Sequence, residues 1–204
     1  MTRKRAPTTL FSDVGGVLIE NPWNYVADDL SAAYGLDRKQ VFDELEFLSK
    51  DMDRGQTDAR SFSRQLSLRL KRDIPEDRFE TLLLDTSPRR IVPAWDALSH
   101  LKSSSDLRIV ALSNMSREFW ASLVRKFRIT SLFDSCVLSY EHGVIKPDPA
   151  IFEIALGETG SPPRECVFLD DTVGNIRAAE KIGLRTRLAT SPDETAAFLN
   201  SLGR

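Results

Sequence analysis

The feature that most constrains this chain is a recurrence of short apolar runs rich in β-branched and aromatic residues. They lie at Thr8 to Asp13, Leu107 to Ser113, Cys136 to Ser139, Cys166 to Asp170 and Leu184 to Ala189. Runs this short and this uniformly apolar read as buried strands. Between the later ones stand helical patterns, at Arg117 to Phe127, Asp148 to Leu156 and Asn175 to Ile182. Strand and helix in alternation predict an α/β fold built on a doubly wound parallel sheet, because parallel strands need crossovers and the crossover helices cover both faces. In such a sheet ligands gather at the carboxyl ends of the strands.

Helix starts agree with the alternation. Asp148 followed by Pro149 fits an N-cap with proline at the first helical position, and Ser191 with Glu194 three residues on fits a capping box opening a final helix. Ser103, Ser104 and Ser105 are expected at a loop tip. From about Asn21 to Arg90 the alternation stops, and successive helical patterns appear without a convincing strand. Val41, Leu45, Leu48 and Met52 share one helical face, and Phe62, Leu66 and Leu70 share another, with Gly55 and Pro75 as punctuation. The simplest reading is a small helical module inserted between the first and second strands. The expected organisation is thus a core of residues 1–20 and 91–204 with a helical segment 21–90 between its parts.

Composition removes several classes of function. A chain of 204 residues with 41% hydrophobic and 28% charged residues matches ordinary globular proteins. A formal charge of -2 gives no global reason to expect nucleic acid or an anionic membrane as partner. The basic cluster Arg3, Lys4 and Arg5 reads as a solvated terminal tail. Pro7, Thr8, Thr9, Ser12 and Asp13 interrupt any signal-like apolar stretch after it, and no run reaches transmembrane length, so a cytoplasmic protein is expected. Cys136 and Cys166 are the two cysteines, each within an expected strand, too few for a disulfide framework or a zinc cluster.

Four places carry polar chemistry, and each coincides with a strand end. The first run closes in Asp13, followed by Gly15 and Gly16, where a ligand could approach the backbone, although aspartate and glycine also build ordinary turns. The second closes in Ser113 and Asn114 before a helix, a pairing that can hold a phosphate oxygen or simply cap the helix. Lys146 stands between a strand end and the proline-started helix, offering a fixed positive charge or a solvated surface group. The fourth run closes in Asp170 and Asp171, with Asn175 beyond. Adjacent carboxylates at a strand end are costly unless a cation or donors compensate, and hard oxygen ligands suit Mg²⁺. Together the four are far more specific than any one, since they stand in one order at the ends of consecutive strands.

That set resembles the four motifs of the haloacid dehalogenase superfamily, over Leu10 to Leu188. The segment after the first motif is similar to that superfamily's small helical cap, and Asp53, Arg54 and Gly55 with Phe62 look like a recurring cap pattern. The nearest branch is similar to sugar-phosphate or glucose-1-phosphate phosphatases. The resemblance implies a Rossmann-like core and a magnesium-dependent phosphatase acting on a small-molecule phosphate ester, in a monomer or homodimer. It implies Asp13 as the nucleophile that becomes an aspartyl phosphate. Asp13, the Gly15 carbonyl and Asp171 would hold Mg²⁺, with Asp170 and Asn175 in the surrounding layer, while Ser113, Asn114 and Lys146 would hold the phosphoryl oxygens. One departure stands out. Most phosphatases of the superfamily carry a second aspartate where this chain has Gly15, which puts about 10²–10⁴-fold of acid and base assistance in question. The alternatives are a 2-haloacid dehalogenase, which also lacks the second aspartate, and a silent phosphate-binding protein. Trp23, Asn24, Tyr25, Lys50 and Arg54 are the expected substrate-facing residues of the cap, with packing or solvation as their ordinary role. Glu141 and His142 are assigned nothing.

Overall fold

A computed structural model describes residues 6–203. The basic cluster at Arg3, Lys4 and Arg5 lies outside the described residues. Five strands and ten helices follow in chain order among these residues: β1 (Thr9–Ser12), α1 (Pro22–Tyr34), α2 (Arg38–Asp53), α3 (Ala59–Leu70), α4 (Glu76–Asp85), α5 (Val92–Ser104), β2 (Arg108–Ser113), α6 (Arg117–Phe127), β3 (Ser135–Leu138), α7 (Ser139–His142), α8 (Pro149–Thr159), β4 (Cys166–Asp170), α9 (Val173–Lys181), β5 (Arg185–Leu188) and α10 (Pro192–Leu202). The strands form one sheet in the order β3-β2-β1-β4-β5, parallel at every pairing. The chain winds outward from β1 to β2 and β3 on one side, and to β4 and β5 on the other. This leaves a switch point at the carboxyl end of β1, where a doubly wound sheet opens a crevice.

The side-chain period of two divides the strands between two cores. Leu10, Ile109, Ala111, Val167 and Leu169 face one buried cluster, which continues into α5, α6 and the helices α1 to α4. Phe11, Val110, Leu112, Val137 and Phe168 face the other, under α8 and α9. Burial on both faces is why β1, β2 and β4 read as continuous apolar runs. The edge strand β5 corrects that reading, since all four of its residues are only half-buried. A strand with a single neighbour in the sheet has less to cover it.

Capping follows the local sequence. Asp148 accepts a hydrogen bond from the Ala150 N–H at the start of α8, and Ser191 accepts one from the Glu194 N–H at the start of α10. The reciprocal half of the expected capping box is redirected, because the Glu194 carboxylate takes the Thr190 hydroxyl. Ser103 and Ser104 are not a loop tip. They end α5, where both hydroxyls donate back to the His100 carbonyl one turn earlier.

The chain leaves the sheet and returns to it side by side. The Glu20 N–H donates to the Arg89 carbonyl and the Ile91 N–H to the Leu18 carbonyl, flanking a bridge between Ile19 and Arg90. Four helices occupy the excursion, and their apolar stripes are buried as the periodicity implies. Trp23 on α1 stacks on Phe62 of α3 at 5.4 Å and meets Phe119 of α6 edge-on at 4.8 Å, and Phe62 stacks on Phe79 of α4 at 5.1 Å. This aromatic column joins the excursion to the helix layer over the sheet. Among the described residues, no helix is long and apolar enough to cross a membrane.

Candidate active site

Asp13 follows the last residue of β1 and is held there by the sheet itself, its N–H donating to the Leu169 carbonyl of β4 at 2.9 Å. The residue is 8% exposed. Its Oδ1 accepts from the Val14 N–H at 2.7 Å and from the Ser113 hydroxyl at 2.8 Å, and its Oδ2 lies 2.9 Å from Lys146 Nζ. Residues from the ends of β1 and β2 and from the loop before α8 thus converge on one side chain.

Lys146 acts as a bracket. Besides Asp13, its ammonium donates to the Leu112 carbonyl at 2.9 Å and to Asp170 Oδ2 at 2.7 Å, which occupies all three of its hydrogens. Burial opposes its charge, yet the two carboxylates of Asp13 and Asp170 hold it above the usual lysine range. Asp170 is completely buried and its oxygens are filled, by Lys146, by the Thr172 N–H and by the Asn175 amide, which reaches both. Asn114 pairs with the Lys146 backbone in both directions, donating to its carbonyl at 2.9 Å and accepting from its N–H at 2.8 Å. It therefore fixes the loop that aims the lysine, a task its place in sequence did not reveal, and one amide hydrogen remains for another acceptor.

Asp171 is the exposed member of the acidic group. Its position explains the second glycine. Gly16 has a φ of 74°, and a Cβ added there would fall 2.0 Å from Asp171 Oδ2. The glycine thus provides both the left-handed turn and the space that the carboxylate fills. At Gly15, by contrast, an added Cβ would meet nothing within 4 Å.

Oxygens of Asp13, Asp170 and Asp171 lie within 4.8 Å of one another. Three carboxylates against one ammonium leave two negative charges unbalanced, the charge of one divalent cation, and hard carboxylate oxygens are the donors Mg²⁺ prefers. Burial, with Asp170 and Asp171 adding to it, pushes the Asp13 carboxyl up to about 7 against the pull of Lys146. The donor set fits a magnesium ion.

A cavity of about 900 Å³ opens above these residues and is roofed by the excursion. Of the expected cap residues, Trp23, Lys50 and Arg54 line it, Trp23 only by an edge of a ring otherwise packed. Asn24 and Tyr25 are turned elsewhere: Arg38 donates to Asn24, and the Tyr25 hydroxyl donates to Glu20 and accepts from the Arg89 N–H. Sequence reasoning missed Asp43, Glu46, Phe47 and Phe119 on the wall, and it singled out Asp53 only as part of a cap pattern. Phe47 carried a signal, as an aromatic residue off the apolar stripe of α2, and it is 60% exposed.

Comparison with known proteins places this geometry. The family model for haloacid dehalogenase-like hydrolase matches residues 8–183. Among curated proteins, drimenol cyclase drtB of Aspergillus calidoustus is 31% identical over 125 residues, 60% of this chain but 22% of that protein, so the chain spans about a fifth of that relative. Flavin mononucleotide hydrolase 1 of Arabidopsis thaliana is 23% identical over all of this chain and 80% of its own length. Among solved structures, an enzyme of the same superfamily from Bacteroides thetaiotaomicron, in complex with magnesium and inorganic phosphate, shares the fold with a TM-score of 0.70. It is 20% identical, with 89% of this chain and 93% of that one covered. The strand order, the four strand-end motifs and a family match over most of the length agree, and the chain belongs to the haloacid dehalogenase-like hydrolases.

Proposed function

We propose that the protein is a magnesium-dependent phosphatase that hydrolyses a small phosphorylated metabolite through an aspartyl phosphate on Asp13. The observation that carries this reading is the setting of the Asp13 carboxylate, clamped by Ser113, the Val14 N–H and Lys146 beside an acidic group with the charge deficit of one divalent cation. Asp13, the Gly15 carbonyl and Asp171 would hold the magnesium, which when bound neutralises charge on the transferring phosphoryl oxygens. Asp170 and Asn175 keep Lys146 and the strand end in place around it. Asp13 attacks phosphorus in line, the ester oxygen departs, and water then cleaves the aspartyl phosphate to release inorganic phosphate. Around the phosphoryl oxygens, Asn114 would offer its remaining amide hydrogen and Lys146 its positive charge, while the Ser113 hydroxyl orients Asp13 Oδ1.

A 2-haloacid dehalogenase would use the same carboxylate on carbon and has no call on a divalent cation. The unbalanced charge around Asp171 supports the phosphatase over it, as does a cavity large enough for a metabolite rather than for a two- or three-carbon acid. A sugar phosphate is compatible with the polar wall formed by Asp43, Glu46, Lys50 and Arg54.

The test is hydrolysis of p-nitrophenyl phosphate and a panel of sugar phosphates by wild type and Asp13→Asn, with Mg²⁺ or EDTA. Turnover that needs the metal and vanishes in Asp13→Asn is the expected result, and the ranking of the panel begins to name the substrate. Absence of turnover in folded, magnesium-loaded protein sinks the reading, and chloride release from a 2-haloacid would replace it with the dehalogenase.

A further inference from the structure

We propose that Asp53, at the carboxyl end of α2, is the acid and base that serves the leaving oxygen and then the attacking water, in place of the side chain that Gly15 lacks. The inference rests on the phosphatase reading above and adds to it the residue that completes the chemistry.

Four observations carry it. Asp53 is half-buried and lines the same cavity as Asp13, Lys146 and Asp171. Its backbone is tied to the core: the Ser139 hydroxyl donates to the Asp53 carbonyl at 2.5 Å and itself accepts from the Met115 N–H at 3.0 Å. Two residues on, Gly55 turns with a φ of 67° so close to α7 that an added Cβ would stand 2.6 Å from the Tyr140 carbonyl. The end of α2 is therefore anchored to α7 at the end of β3. Among the described residues, no hydrogen bond or ion pair occupies the Asp53 carboxylate, while the carboxylates of Asp13 and Asp170 are all engaged. Finally, a Cβ at Gly15 would meet nothing within 4 Å, so no neighbouring atom fills the place of the missing side chain, and Gly15 and Asp53 line one cavity.

Electrostatics suits the role. Burial pushes the Asp53 carboxyl up to about 7, against the pull of Arg54 and Lys146. Asp43, Glu46 and Lys50 of α2 share the cavity with it, and Asp51 of α2 and Tyr140, Glu141 and His142 of α7 are further titratable side chains of the elements that meet there. A group that is half protonated near neutral pH can give a proton in one step and take one in the next.

The steps balance. As an Asp13 oxygen bonds to phosphorus and the ester P–O bond breaks, the proton of the Asp53 carboxyl passes to the departing oxygen, which leaves as the alcohol. The Asp53 carboxylate then takes a proton from water as its oxygen bonds to phosphorus and the Asp13–phosphorus bond breaks. Phosphate leaves, and Asp53 is again protonated.

The experiment compares p-nitrophenyl phosphate, whose phenolate leaves without help, with phenyl phosphate, whose phenolate needs a proton, in wild type, Asp53→Asn and Asp13→Asn. In Asp53→Asn, kcat/KM for phenyl phosphate is expected to fall by about 10² or more. That for p-nitrophenyl phosphate changes far less, and a burst of p-nitrophenolate precedes slow turnover because water now lacks its base. The ratio of the two esters is read within one preparation, so a partly unfolded sample does not alter it. Gly15→Asp/Asp53→Asn supplies an acid from the other side, and phenyl phosphate hydrolysis is expected to recover. Equal loss on both esters, or no loss on either, overturns Asp53 while leaving the phosphatase intact. If wild type shows no hydrolysis that depends on Asp13, the phosphatase reading fails and this inference falls with it.

Discussion

Gly15 and Gly16 are neighbours under opposite constraints. Gly15 has open space above it, whereas Gly16 is required twice, by its positive φ and by the Asp171 carboxylate in the volume a side chain would take. Gly16→Ala is therefore expected to cost about 1–2 kcal/mol from the left-handed backbone alone. It also pushes Asp171 aside, so the magnesium concentration for half-maximal activity should rise severalfold. A magnesium titration of activity beside a thermal melt checks both; an unchanged magnesium requirement would mean that Asp171 does not hold the metal. The same scale shows why Lys146 could be singled out from its place in the chain while its three partners could not. The loop between a strand and a proline-started helix marks a fixed lysine, but the Leu112 carbonyl and the carboxylates of Asp13 and Asp170 are up to 133 residues distant in sequence.

The helices of the excursion owe their identity to local pattern and their placement to aromatic packing. On α2 the stripe of Val41, Leu45, Leu48 and Met52 is buried throughout, as its spacing of three and four residues requires. What seats these helices on the core is Trp23, between Phe62 on one side and Phe119 on the other. Trp23→Ala removes a ring that is 6% exposed and leaves a cavity at the junction, so a loss of about 3–5 kcal/mol is expected by denaturant titration. A loss under about 1 kcal/mol would show that the junction is a loose contact rather than a continuous core. Magnesium-dependent activity should fall with it, since α2 carries the far wall of the cavity.

For the molecule as a whole, the acidic cluster links protons, metal and stability. The Asp13 carboxyl is pushed up to about 7, while in the unfolded chain it titrates near its ordinary value of about 3.9. Between those limits the native state keeps a proton that the unfolded state has released, so in the absence of metal this group contributes less stability as the pH rises. On the proposed reading magnesium would need the ionised carboxylate and would compete with that proton. Adding Mg²⁺ should accordingly raise the Tm more at about pH 8 than at about pH 5.5, and Asp13→Asn should abolish the difference. A magnesium effect that is flat across this range would remove Asp13 from the ligand set.

By itself the sequence determined the strands, the helical excursion after β1 and the order of Asp13, Ser113 and Asp170–Asp171 at strand ends, whereas Lys146 stands in the loop between α7 and α8 rather than at the end of β3. Those properties follow from periods of two and 3.6 residues and from caps, which act over a few residues. The family resemblance also marked Gly15 as the position where most phosphatases of the superfamily carry a second aspartate. The tertiary structure alone decided that β1 lies between β2 and β4, that Asn114 fixes the Lys146 loop, that β5 is only half covered and that Ser103 and Ser104 close a helix. It alone brought Asp53, at a helix end, to the cavity it shares with Asp13, 40 residues earlier in the chain. The physical reason is that these facts depend on which surfaces meet across the molecule, and neither local period nor propensity encodes the docking of α2 onto α7 through Ser139 and Gly55.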